Sequence, residues 1–345
     1  MADIPNSMRA VVLEQYEADL EAALSSLQVK EVPVPKPQSG QVLVRMEAAP
    51  CNPSDLLFLQ NKYGVTKSLP AVPGWEGAGE VVLSGGGVIG YWVSGKRVAC
   101  AVQADRSGTW AEYCVVDAAA CIPLNDTVTY EQGSCLIVNP LTAVGMVETV
   151  KSEGCKSFIQ TAAAGQLGRM ILQLAKNEGL DCIHIVRRQQ QVDLLKSLGA
   201  EYVLNSSEED FFQQLRETAE QLDARIALDA VGGALTGTVL SSMPKNSQIL
   251  VYGALAEQAS SGISPLDLIF KGKQVKGFWV TEWIRSQGKL GMLKVSSQVQ
   301  ELMTSGAIHT EIAQKVPLEN VQEALLSYSR EMTRGKVLIQ PSLQG

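Results

Sequence analysis

The sequence predicts an α/β chain built from a β-rich domain and a doubly wound parallel sheet. Three features point there. From about Lys156 to Thr281, apolar runs alternate with amphipathic helical patterns. Before that, short apolar runs are broken by Pro and Gly, the texture of a β-rich region. After Thr281 the alternation stops.

In chain order, "MRAVVLEQY" and "QVLVRMEAAP" read as strands on either side of the loop "PVPKPQSG". "GAGEVVLSGGG" and "GKRVACAVQ" continue the pattern, giving a β-rich region to about Leu141. "SFIQT" then leads into a helix from Gln166, "CIHIV" into "QQQVDLLKSLG", "EYVLN" into "EDFFQQLRETAEQL", and "RIALDAVGG" into "ALTGTVLSSM". "SQILVYGAL" and "QVKGFWV" complete the set. Repeated strand–helix units imply a Rossmann-type sheet. A helix around Val295–Thr304, the helical "LENVQEALLSY" and a last strand "KVLIQP" return to the first region. Residues 1–142 and 282–345 are thus expected to form one domain, and 143–281 the nucleotide-binding domain.

Bulk properties exclude several classes. A net charge of -7 argues against a nucleic-acid partner, because phosphate binding needs a basic surface. No apolar run reaches the roughly 18 residues of a membrane helix. "MADIPNSMRAVVL" has neither signal-peptide nor transit-peptide character, so a cytoplasmic enzyme is expected. Seven scattered cysteines with no C-x-x-C pair suggest reduced thiols and no structural zinc. His184 and His309 are the only histidines, and both read as structural.

The turn Ala163-Ala164-Gly165-Gln166-Leu167-Gly168 has G-x-G-x-x-G spacing with Ala in the first place. Leu167, Ile171, Leu174 and Ala175 share one face of the helix that follows. Either the small residues serve only tight strand–helix packing, or Gly165 lets backbone N–H groups approach a diphosphate. The second reading is favoured by the turn's place at the head of the alternation. About twenty residues on, where NAD sites place an acid, stand Arg187 and Arg188. Two guanidiniums favour the 2′-phosphate of NADPH; the alternative is two solvated arginines.

This layout resembles the medium-chain dehydrogenase/reductase superfamily over nearly the whole chain. The superfamily's zinc alcohol dehydrogenases carry a cysteine in C-x-x-[DT] and a histidine in G-H-E. The matching segments here read "NPSD" (Asn52–Asp55) and "GWE" (Gly74–Glu76). Asn52 and Trp75 take the ligand places, Cys51 is one residue off register, and the four-cysteine lobe is missing. The chain therefore resembles the zinc-free branch, and no metal is expected. "AAPCNPSDLLFLQNKYG", "LPAVPGWEG", "VNPLTA" and "LIFKGKQVKGFWVTEW" are similar to the trans-2-enoyl thioester reductases. Two departures are that family's G-N-E, here G-W-E, and a turn without its polar residues.

The resemblance implies a GroES-like β-rich domain and a homodimer paired through the nucleotide-domain sheets. It places NADPH contacts at Asn139, at Ala164, Gly165, Gln166, Leu167 and Gly168, and at Arg187, Arg188 and Gln189. Further contacts fall at Tyr252, Gly253, Ala254 and Leu255, at Phe278, Trp279 and Val280, and at Lys336. Tyr63, in "QNKYG", matches the family's proton donor; its alternative is to cap a core edge. Trp75 and Trp283 fall at the substrate. Phe278 and Trp279 could equally be core residues, and Asp55 and Glu76 read as structural. Three functions stay open: reduction of a 2-enoyl thioester, reduction of a quinone or enone, and binding of NADPH without turnover.

Overall fold

The computed structural model describes residues 4–103 and 106–343, so the first three residues of the N-terminal stretch read above lie outside them. Two units emerge, Met1–Val138 with Ser296–Gly345, and Asn139–Val295. The architecture is the expected α/β pairing of a β-rich unit with a Rossmann-type unit.

In the first unit, Gln41–Pro50 is buried almost throughout, as a strand covered on both faces must be. It pairs antiparallel with Glu76–Ser84 and with Tyr113–Asp117. The sheet continues through Arg97–Ala101 to Cys121–Pro123 on one side, and through Lys336–Ile339 to Ile312–Val316 on the other. The last strand of the chain is thereby returned to the β-rich unit. Ser7–Leu13 and Leu27–Pro33 form a separate two-stranded sheet. A core around Trp110, Phe58, Leu59, Cys51 and Ile339 fills the space beneath the short helix Pro53–Leu59.

The second unit is a six-stranded parallel sheet. Its order is Tyr202–Asn205, Asp181–Val186, Ser157–Gln160, Ile226–Asp229, Gln248–Val251, Gln274–Gly277. The order reverses between Ser157–Gln160 and Ile226–Asp229, where open α/β sheets take their ligands.

Two stretches differ from the sequence expectation. Tyr130–Ser134 and Val138–Ser152 are helical, although the β-rich region was expected to reach Leu141. Thr129 accepts the Gln132 N–H at the first start, and Pro140 lies in the first turn of the second helix, where it needs no partner for its nitrogen. The helix expected from Val295 begins at Val280 and runs to Thr304, broken at Gly288 (φ 63°). The division between units falls inside it, after Val295.

All seven cysteines are free, and six are buried. Among the described residues no helix is long and apolar enough to cross a membrane. Among the same residues no three His, Cys, Asp or Glu side chains converge on a metal position.

Candidate active site

In the second unit, the strand Ser157–Gln160 turns into the helix Gln166–Asn177 through Gly165. Gly165 is the N-cap, offers no capping side chain, and is followed by a first turn without acids. The helix start therefore has no side-chain cap, and the positive end of its dipole points to the turn. A Cβ on Gly165 would meet only the Ala162 carbonyl oxygen, at 3.3 Å, so the glycine leaves an open cradle. A Cβ on Gly168 would lie 2.4 Å from the Ala163 oxygen, so that glycine serves packing. Gly168 thus serves the packing reading, and Gly165 leaves the space the other reading needs. The cradle fits a diphosphate.

Beneath the turn, the Gln160 amide donates to the Gly168 carbonyl (3.0 Å) and to His184 Nδ1 (2.7 Å). Accepting at Nδ1 requires a neutral ring, and burial lowers the His184 pKa to about 4. The structural role read for His184 is thus a specific one, and Gln160 was not legible as its partner. Across the strand-order reversal, Thr161 Oγ1 donates to Asp229 Oδ1 (2.8 Å). Val231 and Gly232 donate their N–H groups to the same oxygen. Thr236 Oγ1 donates to the other oxygen at 2.7 Å. This knot fixes the loops that follow Ser157–Gln160 and Ile226–Asp229.

The remaining expected coenzyme residues lie after the carboxyl ends of successive strands. Arg187 and Arg188 are exposed after Asp181–Val186, and Gln189 opens the next helix. Tyr252–Leu255 follow Gln248–Val251, where a Cβ on Gly253 would stand 2.6 Å from the Ala230 oxygen. Phe278 donates its N–H to Val251, Trp279 is 46% exposed, and Val280 starts the long helix. Asn139 is buried in the first turn of Val138–Ser152. Farther along that helix, a Cβ on Gly145 would lie 2.7 Å from Trp283 and 3.1 Å from Phe278. Trp283, expected with residues 282–345, therefore packs inside the nucleotide unit. Gly145 marks the close approach, which the sequence did not reveal.

The first unit holds a different arrangement. Asn52 N donates to Asp55 Oδ2 (2.7 Å), and Asn52 Nδ2 donates to Glu76 Oε1 (2.9 Å). Glu76 Oε2 accepts the N–H groups of Ile137 (3.0 Å) and Val138 (2.9 Å). Lys336 Nζ donates to Asn52 Oδ1 (2.5 Å) and to the Cys51 carbonyl (3.1 Å). Lys336, expected among the coenzyme contacts, is 1% exposed, with its ammonium spent on this network. Desolvation raises Asp55 to about 7, against the lowering charge of Lys336, and raises Glu76 also. Burial pushes the Cys51 thiol far up, so it is no ready thiolate.

Beside this cluster, Trp75 anchors an aromatic group. Its ring centroid is 5.4 Å from that of Tyr63 and 5.2 Å from that of Phe58. The Lys67 ammonium lies 4.6 Å from the Trp75 centroid, within cation–π range. The Trp75 indole nitrogen is buried and has no hydrogen-bond partner. Tyr63 thus meets Trp75 on the edge of the core.

Comparison with known proteins matches residues 38–126 to the alcohol dehydrogenase GroES-like domain and residues 167–295 to the zinc-binding dehydrogenase family. The mouse (Mus musculus) mitochondrial enoyl-[acyl-carrier-protein] reductase is 29% identical over 97% of this chain and 89% of its own. A Caenorhabditis elegans protein of that name is 31% identical over 92% of this chain and 91% of its own. A Mesorhizobium loti crystal structure, provisionally named an NADPH:quinone reductase, is 40% identical with a TM-score of 0.91. That match covers 98% of this chain and all of the other.

Proposed function

Because the chain belongs to the zinc-free branch of the medium-chain dehydrogenase/reductase superfamily, we propose that it reduces activated C=C bonds with NADPH, 2-enoyl thioesters being its leading substrate class. One observation carries the coenzyme half: an uncapped, acid-free helix start at Gly165 with two exposed arginines after the next strand. A diphosphate accepts from the first N–H groups, and a guanidinium binds a 2′-phosphate with two hydrogen bonds. NADPH, when bound, supplies the hydride.

Reducing an isolated ketone calls for a Lewis acid or a strong proton donor at the oxygen. Asn52 and Trp75 provide no such ligand set. A conjugated thioester that takes hydride at its β-carbon spreads the charge into an enolate, which oriented N–H donors can hold. The unpartnered indole N–H of Trp75 is one donor for that oxygen. Tyr63, set against Trp75, gives its phenolic proton to the α-carbon directly or through water. Quinone or enone reduction is the second reading. It is favoured by the flat indole at Trp75 and by the 40% identity to the Mesorhizobium loti protein.

The edge strand Gln274–Gly277 is exposed throughout, and Leu266, Ile269 and Phe270 beside it are 62%, 68% and 72% exposed. This apolar edge supports a homodimer, since open edges otherwise pair without control. Seven free thiols accord with a cytosolic setting.

NADPH oxidation assayed with crotonyl-CoA, a longer enoyl-CoA and a quinone tests the reading. Enoyl turnover above quinone turnover is expected. Tyr63→Phe should slow enoyl reduction by about 10²–10⁴-fold; an unchanged rate removes Tyr63 from the chemistry. Turnover of the quinone alone selects the second reading. Tight NADPH binding with no turnover selects a binding protein.

A further inference from the structure

Asp55 and Glu76 are both buried, at 0% and 1% exposure. Buried acids need a compensating cation, a proton, or a full set of donors. Asn52 stands between the two acids and the Lys336 ammonium. Its side chain is bridged from one side by an ammonium and bridges onward to a carboxylate.

The chain of contacts has a direction. Lys336 Nζ holds Asn52 Oδ1, which fixes which end of the amide faces Glu76. The amide nitrogen then holds Glu76 Oε1 and leaves Oε2 for the N–H groups of Ile137 and Val138. Those two residues directly precede Asn139 in the chain. Two of the three Lys336 protons go to Asn52 and the Cys51 carbonyl, and Nζ also lies 5.8 Å from the Tyr328 ring. Little of this cation is left for an outside ligand.

We propose that Lys336 is a positioning residue: its buried ammonium faces the two buried acids through Asn52 and keeps Asn52 and Glu76 aligned on the backbone ahead of Asn139. Only the coenzyme readout below rests on the function proposed above.

The test is charge rescue. Lys336→Met leaves Glu76 without its cation and Asp55 with only the charge of Lys67. Adding Asp55→Asn removes one acid, while the Asn side-chain oxygen still accepts from Asn52 N. The single variant should lose about 5–10 °C of melting temperature, as expected when one member of a buried ion group is deleted. Its NADPH dissociation constant, read by fluorescence quenching, should rise about tenfold. The double variant should recover most of the thermal loss, while NADPH affinity, which follows the missing Lys336–Asn52 hydrogen bond, stays weakened. If the single variant does not fold, recovery of soluble protein in the double variant reads the same effect.

A double variant no more stable or soluble than the single one overturns the proposal. So does a Lys336→Met protein with wild-type melting temperature and weakened NADPH binding, which makes Lys336 a direct coenzyme ligand. The thermal arm uses no coenzyme. A wild-type protein that fails to bind NADPH would therefore sink the coenzyme reading while leaving the rescue readable.

Discussion

The polar cluster around Lys336 in the first unit and the strand-order reversal in the second bury polarity in different ways. In the first, an ammonium, two carboxyls and an amide close on one another around Lys336, Asp55, Glu76 and Asn52. In the second, the buried groups around the strand-order reversal are neutral or bound to backbone and hydroxyl donors, as at Gln160, His184 and Asp229. Its buried cation Lys273 donates to the Leu240 and Ser241 carbonyls and faces Asp267, while Arg187 and Arg188 stand outside. The first pattern closes on itself except at Asp55 Oδ1, which is buried with no hydrogen-bond partner among the described residues. The second keeps a helix start with no side-chain cap and two exposed arginines. The contrast teaches that a closed polar cluster and an open helix start make different demands on the chain.

Glycine substitutions give the largest expected break in that comparison. Gly168→Val sets a branched side chain on a Cβ already 2.4 Å from the Ala163 oxygen. It should cost about 3 kcal/mol or more of stability and abolish measurable coenzyme binding. Gly165→Ala meets only a 3.3 Å neighbour, so it should keep its melting temperature and lose about tenfold in coenzyme affinity. In the first unit, a Cβ on Gly79 would stand 2.0 Å from the Arg45 oxygen. Gly79→Ala should lower the melting temperature with coenzyme affinity unchanged. Thermal melts with parallel NADPH titrations check all three; parallel losses in both readouts for Gly165→Ala would contradict the open cradle.

A smaller effect lies in pH dependence. Asp55 is raised to about 7 in the fold from an ordinary value near 3.8. The folded state then binds the extra proton, so its contribution falls as pH rises from about 4 to 7. His184 is lowered to about 4 from 6.5. Here the unfolded state binds the extra proton, so stability is lost as pH falls from 6.5 toward 4. Each amounts to roughly 3–4 kcal/mol at full titration, and the two offset over most of one window. Asp55→Asn should therefore unmask a melting temperature that rises with pH between 4 and 6.5. His184→Asn should unmask one that falls. Identical pH profiles for wild type and both variants would reject the two buried titrations.

Much of the second unit was legible because its periodicity switches cleanly between strand and helix. The helix start at Gln166 and the positions after each strand end follow from that pattern and the small residues of the turn. The first unit was less legible. Tyr130–Ser134 is too short for periodicity to stand out, and only the Thr129 cap marks it. Lys336 was expected among the coenzyme contacts, and its burial against Asn52 could not be read because it brings together residues far apart in the chain. Gln160 and His184 meet across adjacent strands, a pairing that only sheet order creates. Trp283 was assigned to the wrong unit because the helix Val280–Thr304 runs through the division.

The most direct measurement is calorimetric titration of the wild-type chain and an Arg187→Ala/Arg188→Ala variant with NADPH and NADH. Stoichiometric uptake is expected, NADPH binding more tightly to the wild type, with about a tenfold loss per arginine for NADPH alone. No uptake of NADPH, or equal affinity for both coenzymes in both proteins, would contradict the account.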